Sequence, residues 1–374
     1  MRPQTIDGAG FDELAAAGGS DLISVFVPTH EKGRNVAQDR VHLKNGLAEV
    51  DGYLTELGWR PRERSARLSR AQGLLDDLEF WEHQRKGLAV YVDEAGAITP
   101  VSISTSVGPL SLVMPVFHVR PLTADIDWKT HAVLVLSKDD VALFTVGGGG
   151  AEPVDLELPA FKEVNWFVDR EPQRQQHPDQ PGQARNRHGQ ESAKGGDEDT
   201  ARFLRAVDAA LDGISTQEPL IVLGDNDLTA RFVNFTERPT SSPENSGIAT
   251  PFSTEDIAKK VAGVIAGFER DRINLATATA MDHLGVGKAT KELTVAIPAA
   301  VTGRVEAIVM NRNADLVWGR LDRTDLEVEV HEAKEPGDVD LLDRLLVWAR
   351  GNGAEIVVSE HPVDDGALIA TFRY

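Results

Sequence analysis

Apolar residues in this chain fall into short unbroken runs that alternate with helical stripes. Leu22-Ile23-Ser24-Val25-Phe26-Val27 reads as a buried strand after a short helix around Phe11 to Ala17, and Pro28 ends it because proline cannot donate to a ladder. Leu43, Leu47, Val50, Leu54 and Leu57 then step by four and three, which is one face of a helix closed by Gly58. A second helix is expected from Pro61 to His83, with Leu68, Ala71, Leu75 and Leu78 on one side and Pro61 in its first turn. Gly87–Val92 and Ala97–Val101 are strands joined by the turn Asp93-Glu94-Ala95-Gly96. The first 115 residues therefore predict a small α/β domain.

A new run begins at Pro115-Val116-Phe117-His118-Val119-Arg120-Pro121. His131–Leu136 and Val141–Val146 predict a hairpin across Ser137-Lys138-Asp139-Asp140. Gly147–Gly150 are expected to be a turn. A helix is predicted from Glu198 to Leu211, then a buried strand over Pro219–Gly224 followed by a short helix capped by Asp225 or Asn226. Thr236–Pro251, rich in Pro, Ser, Thr and Asn, reads as a linker. Beyond it Ser253-Thr254-Glu255-Asp256 resembles a capping box before a helix striped by Ile257, Val261, Val264 and Phe268. Thr290 and Asp338 are expected to cap two further helices. Strands are predicted at Val305–Met310, Ile356–Val358 and Leu368–Phe372. The alternation predicts an α/β protein, its last third an α/β/α sandwich.

Composition narrows the function. The chain has 374 residues, 41% hydrophobic, a formal charge of −20 and no cysteine. Disulfides and thiolate metal sites are excluded, and a broad basic nucleic-acid face is disfavoured. No run nears about 20 apolar residues, and the opening stretch lacks the apolar run of a signal peptide. A cytoplasmic protein without a membrane partner is expected. Neither a metal nor a small-molecule cofactor is expected, since metal-ligand spacings are missing and Gly285-Val286-Gly287-Lys288-Ala289-Thr290 lacks the order of a phosphate loop. That stretch is expected to be a helix–helix turn. Gly-x-Ser-x-Gly is absent, which disfavours an α/β-hydrolase. His131 and His361 border strands as polar end residues. His30, at the end of a strand, has no partner visible in the sequence.

One segment breaks the pattern. Residues 170–199 hold almost no large apolar side chain, and a long polar loop inside a compact domain is uncommon. Up to Gly196 it carries Arg170, Arg174, Arg185, Arg187 and Lys194 against Glu171, Asp179 and Glu191, so it is locally basic on an acidic chain. A basic arm suits RNA phosphates, whereas a solvated insertion needs no partner. It also contains Gly182-Gln183 and Gly189-Gln190.

Three groups of residues together carry a family resemblance. The first is Ser24–His30 with Asp39–Asn45 and Phe80-Trp81-Glu82-His83 leading into Gly87–Val90. The second is Phe117–Leu122, Leu134–Ser137, Gly189-Gln190, Phe203–Asp208 and Pro219–Gly224. The third is Gly303–Ile308, Trp318-Gly319, Asp340–Asp343 and Gly353–Val357. In that order they resemble the bacterial branch of the archaeo-eukaryotic class I peptide-chain release factor and pelota superfamily.

The resemblance implies three domains: an N-terminal α/β domain over 1–115, an RNase H-like middle domain over 116–240 with the polar loop 170–199, and a C-terminal α/β/α sandwich over 252–374. The last is similar to kink-turn-RNA-binding ribosomal proteins. The implied partners are the ribosome, through ribosomal RNA of the A site, and a translational GTPase. In the family a Gly-Gly-Gln loop serves peptidyl-tRNA ester hydrolysis, where the glutamine positions a water. Gly189 and Gln190 stand at its last two positions here, as the catalytic residues that the resemblance implies, and His188 replaces the first glycine. The codon-reading Asn-Ile-Lys-Ser motif is missing, with only Leu43-Lys44-Asn45 in its region. The expectation is a factor that binds the A site in ribosome rescue or hibernation without reading a stop codon, through Arg170, Arg174, Arg185, Arg187 and Lys194. A release-factor-like hydrolase using Gln190 and an adapter working off the ribosome on another RNA or protein are the alternatives.

Overall fold

The computed structural model describes residues 2–30, 36–126, 129–137, 140–147, 150–156, 188–214, 218–248, 253–361 and 363–374, with the backbone alone at 36, 188–197 and 199. It divides into two compact units, residues 1–128 with 269–374, and residues 129–268.

The chain opens with α1 (Gly8–Ala16), β1 (Gly18–Pro28), α2 (Val36–Glu56), α3 (Pro61–Gly73) and α4 (Leu78–Glu82). β2 (Gly87–Val92), β3 (Ile98–Ile103), β4 (Leu110–Val116) and the short α5 (Thr123–Ile126) follow. The strands form one antiparallel sheet in the order β3-β2-β1-β4. Strand periodicity sorts β1 between two cores. Ile23, Val25 and Val27 pack with Leu43, Leu47, Val50 and Leu54 of α2 and Phe80 and Trp81 of α4. Leu22 and Phe26 join the opposite core with Phe11, Tyr91 and Phe117.

Two expectations for this stretch are corrected. The helix expected over 61–83 is interrupted: Asp77 leaves the helical region (φ −83°, ψ 93°) and caps α4 by accepting from Phe80 N at 3.1 Å. The Trp81 indole donates to the Leu74 carbonyl at 2.7 Å, so the break leaves that group satisfied while Phe80 and Trp81 turn inward. Pro115 and Val116, where a new unit was expected to start, instead end the edge strand β4, which pairs with β1.

Within 129–268 lie β5 (His131–Leu136), β6 (Val141–Gly147), β7 (Gly150–Val154), α6 (His188–Ala210), β8 (Leu220–Gly224), α7 (Asn226–Phe235) and β9 (Thr240–Ser241). The sheet order β7-β6-β5-β8-β9 has three antiparallel strands followed by two parallel ones, an RNase H-like arrangement. The supposed linker thus supplies a strand, β9. Ala132, Leu134 and Leu136 of β5 face Phe203, Leu204 and Val207 of α6 and Phe232 of α7. Val133 and Val135 face Ile257, Val261 and Ile265. Those last three belong to α8 (Thr254–Gly285), whose residues from Glu269 onward lie in the other unit. Ser253 caps α8 by accepting from Asp256 N at 3.0 Å. His131 is buried and stacks on Phe268 (5.6 Å between centroids), so it is a core residue and not a polar strand end.

The last stretch adds β10 (Ala289–Thr290), α9 (Leu293–Val301), β11 (Val305–Asn311), β12 (Trp318–Leu321), β13 (Val328–His331), β14 (Val339–Asp340), α10 (Leu341–Gly351), β15 (Glu355–Ser359) and β16 (Leu368–Phe372). The sheet β10-β16-β11-β15 carries Ile308, Met310 and Leu368 toward α9 and α10 and Val309, Val357 and Ile369 toward Ala280 of α8. This is the expected α/β/α sandwich. Residues 286–288 lead from α8 into β10 rather than into a helix. Glu292, not Thr290, stands at the start of α9, and Asp340, not Asp338, caps α10 through Leu342 N at 3.3 Å. Asp338 is buried instead, accepting from His331 Nδ1 at 2.9 Å and Glu335 N at 2.8 Å and lying 3.3 Å from Arg320 Nε.

Gly224 sits at φ +121°, and a Cβ there would lie 1.8 Å from the Leu136 carbonyl oxygen of the neighbouring strand. Positive φ and backbone contact both select glycine. Gly224→Ala is expected to destabilise the 129–268 unit by about 3 kcal/mol or more. Faster hydrogen exchange at β5 and β8 amides would show it.

Candidate functional site

Three places gather chemistry-bearing side chains: the end of β1, a buried charged cluster, and α6. At the first, His30 follows the buried Thr29. Asp39, in the first turn of α2 and fully buried, uses both oxygens on it: Oδ2 accepts from His30 N at 2.9 Å and Oδ1 from Nδ1 at 2.8 Å. A carboxylate cannot donate, so Nδ1 carries the proton and Nε2 is the ring's outer nitrogen. The imidazole is 45% exposed. Thr29 is fixed by its N–H to the Lys86 carbonyl (3.1 Å) and its hydroxyl to the Arg85 carbonyl (2.8 Å). Arg85 pairs with Asp125 at 3.3 Å. Burial pushes the Asp125 carboxyl up, against the lowering effect of the hydrogen bonds from Ser104 and of Arg85. The partner of His30 was missed in the sequence. Its one signal was an acid in the first turn of the next amphipathic helix.

The second place is sealed. Asp343 accepts from Val119 N at 2.7 Å and Arg120 N at 2.6 Å and pairs with Arg344 Nη2 at 2.6 Å. Arg344 also donates to the carbonyls of Ala15 (3.2 Å) and Phe117 (3.1 Å). His118 Nδ1 lies 3.5 Å from Asp343 and 3.6 Å from Asp340, and Arg120 Nη2 lies 3.4 Å from Asp340. Burial opposes ionisation of Asp343, yet Arg344, His118 and the hydrogen bonds outweigh it and hold the carboxyl below its ordinary value. Burial lowers His118 and prevails over the two aspartates. With every member buried, the cluster binds chain segments to one another and offers no face to a ligand.

On α6 the structure brings three expected site residues onto one element. Gly189, Gln190 and Lys194 lie on a helix beginning at His188, ten residues before the expected start at Glu198. Gln190, Glu191, Ala193 and Lys194 are good helix formers, and extending an existing helix avoids the cost of nucleation. The helix is anchored by Phe203, Leu204 and Val207, and at 1.5 Å per residue Gly189 stands about 21 Å along the axis from Phe203. Arg170, Arg174, Arg185 and Arg187, with Gly182-Gln183, lie outside the described residues. No grouping of three metal-ligating side chains occurs among the described residues.

Residues 130–304, a little under half of the chain, match the family model of bacterial archaeo-eukaryotic release factor family 3. Over that segment the chain is similar to the bacterial archaeo-eukaryotic release factors. The match encloses the RNase H-like sheet, α6 and Gly189-Gln190, so the family resemblance is borne out where the loop chemistry would lie. A comparison with curated proteins found none that matches. Among solved structures, a ribosome-bound archaeal Pelota with ABCE1 is 13% identical, with 100% of this chain and 95% of that one covered and a TM-score of 0.39. Archaeoglobus fulgidus Pelota is 10% identical over 100% and 94% of the two chains (TM-score 0.34), and the archaeal termination factor aRF1 is 16% identical over 99% of each (0.26). All three scores are below 0.5, so the assignment rests on the family match alone.

The sealed cluster has a pH signature. Burial lowers His118, so its contribution is complete above the ordinary value of 6.5 and is lost as pH falls below it. His331, raised by its hydrogen bond to Asp338, works in the opposite sense: its contribution is complete below 6.5 and is lost as pH rises through the raised value. Urea midpoints at pH 7.5 and 5.5 should therefore fall less on acidification in His118→Gln than in the native protein, with His331 common to both. Asp343→Ala should cost about 3–5 kcal/mol, since it strands buried Arg344.

Proposed function

We propose that the protein is a translation factor that occupies the ribosomal A site in ribosome rescue or hibernation, without reading a stop codon. The observation that carries this is the family match over 130–304, which encloses Gly189-Gln190 with His188 where the family has a glycine. A side chain at that position restricts the backbone where the loop must approach RNA closely. The helical course from His188 supports the same reading, because a helix holds the Gly189 and Gln190 backbone in regular geometry. Arg170, Arg174, Arg185, Arg187 and Lys194 supply the positive charge for ribosomal RNA on a chain of −20. A translational GTPase is the second partner that the family reading suggests.

The retained Gly189-Gln190 pair favours one other reading, hydrolysis of peptidyl-tRNA with Gln190 positioning the water. Ribosomes carrying peptidyl-tRNA would then release peptide, and Gln190→Ala would abolish release.

For the A-site reading, the protein should sediment with 70S ribosomes at moderate salt and release no peptide. Binding should weaken steeply with salt, and alanine at the five basic positions should flatten that slope. Absence from the 70S fraction in both growing and starved cells would overturn it.

A further inference from the structure

The loop that follows β9 and the first turns of α8 border a cleft of about 530 Å3 within the 129–268 unit. Pro243, Asn245 and Ile248 line it from the loop, and Asp256, Lys259 and Lys260 from the helix. The sheet sets its place. β5, β8 and β9 run parallel, and the loop leaves the carboxyl end of β9 and is tied to that of β8. Gly224 N donates to the Ser246 carbonyl at 2.9 Å, and Ser246 Oγ lies 2.9 Å from Asn226 Oδ1. Small ligands of open α/β sheets bind outside the carboxyl ends of parallel strands, in clefts of this size.

Glu255 and Asp256 precede Lys259 and Lys260 at the three- and four-residue spacings of helix ion pairs. Among the described residues none of those pairs forms. The Asp256 carboxylate instead takes the Ser253 hydroxyl at 2.5 Å, while Asp256 N donates to Ser253 Oγ at 3.0 Å. Glu255, and Glu244 on the loop, are exposed and lie outside the lining. The cleft therefore presents two lysines against one carboxylate that is already engaged. The Asn245 carboxamide adds donors and an acceptor; a Cβ on Gly247 would lie 3.5 Å from its Oδ1. Pro243 and Ile248, both half-buried, supply apolar wall.

We infer that this cleft binds a mononucleotide, with Lys259 and Lys260 on its phosphate, Asn245 on the hydrogen-bonding edge of the base, and Pro243 and Ile248 against the base face. Two lysines that pass over the carboxylates on their own helix meet the double charge of a phosphate monoester. A base is read through donors and acceptors on its edge and through apolar contact on its face, which are the groups that the loop provides. No residue of the cleft belongs to the polar segment 170–199, so the site stands apart from the ribosomal reading.

The test is equilibrium dialysis of the full chain against AMP, GMP, CMP and UMP, with the matching nucleosides and inorganic phosphate as controls. At least one mononucleotide should bind saturably, and its nucleoside and phosphate alone should each bind about tenfold or more weakly. Lys259→Gln and Lys260→Gln should each weaken that nucleotide by about tenfold, the worth of a charge-assisted hydrogen bond, and leave the nucleoside unchanged. Asn245→Ala should weaken the nucleotide and leave inorganic phosphate as it was. Lys259 and Asn245 are exposed and Lys260 is half-buried, so all three variants should keep the native melting temperature. The inference is overturned if no mononucleotide binds saturably up to about 10 mM. A nucleoside bound as tightly as its nucleotide, or full nucleotide affinity in the Lys259→Gln, Lys260→Gln double variant, overturns it equally.

Discussion

The Asp343 carboxylate is the constraint on which the larger unit depends. It sits in the first turn of α10 and accepts the N–H groups of Val119 and Arg120, more than two hundred residues earlier in the chain. Those donors lie just past the end of β4, where the sheet hydrogen bonding stops. Without a partner they would be buried orphans. Arg344 completes the arrangement by donating to Ala15 and Phe117 carbonyls as well as to Asp343. One ion pair on α10 therefore satisfies backbone groups just past the end of β4 and at the end of α1. A single apolar core runs through the same place, from Phe11, Phe26 and Tyr91 to Ile308, Leu342 and Leu345.

Strand alternation gives each sheet its two faces. β1 divides its side chains between the α2 core and the α10 core, β5 between α6 and α8, and β11 between α10 and α8. A strand covered on both faces reads as a continuous apolar run, which is why these strands stand out from the amphipathic helices around them. The short strands β9, β10 and β14 have no such run. Each is two residues long and exists because a neighbouring strand offers it hydrogen bonds.

The candidate sites divide in the same way. Gly189-Gln190 was legible as a motif, because its residue types are what loop chemistry near RNA demands, and the family match over 130–304 includes it. That its backbone is helical depends on α6, which is nucleated well downstream by Phe203, Leu204 and Val207 on the sheet. His30 was legible as a residue at a strand end, but Asp39 was not legible as its partner. Nothing in the stepping of α2 distinguishes a buried acid that orients a ring from a solvated one in a first helical turn. Asp338 and Asp340 make the same point. Both precede a helix at cap-like spacing, yet one caps α10 and the other is enclosed by His331, Glu335 and Arg320.

By itself the sequence determined the α/β class, the long strands and helices and their order, the want of thiol chemistry, and the likeness of the middle segment to a release-factor family. Periodicity and residue type are local properties, and they specify local geometry directly. Tertiary structure alone decided which acids are buried, which histidines are oriented and which segments share a core. Those outcomes depend on pairs such as His30 with Asp39, Val119 with Asp343 and Leu220 with Thr240, whose members are drawn together by packing rather than by spacing along the chain.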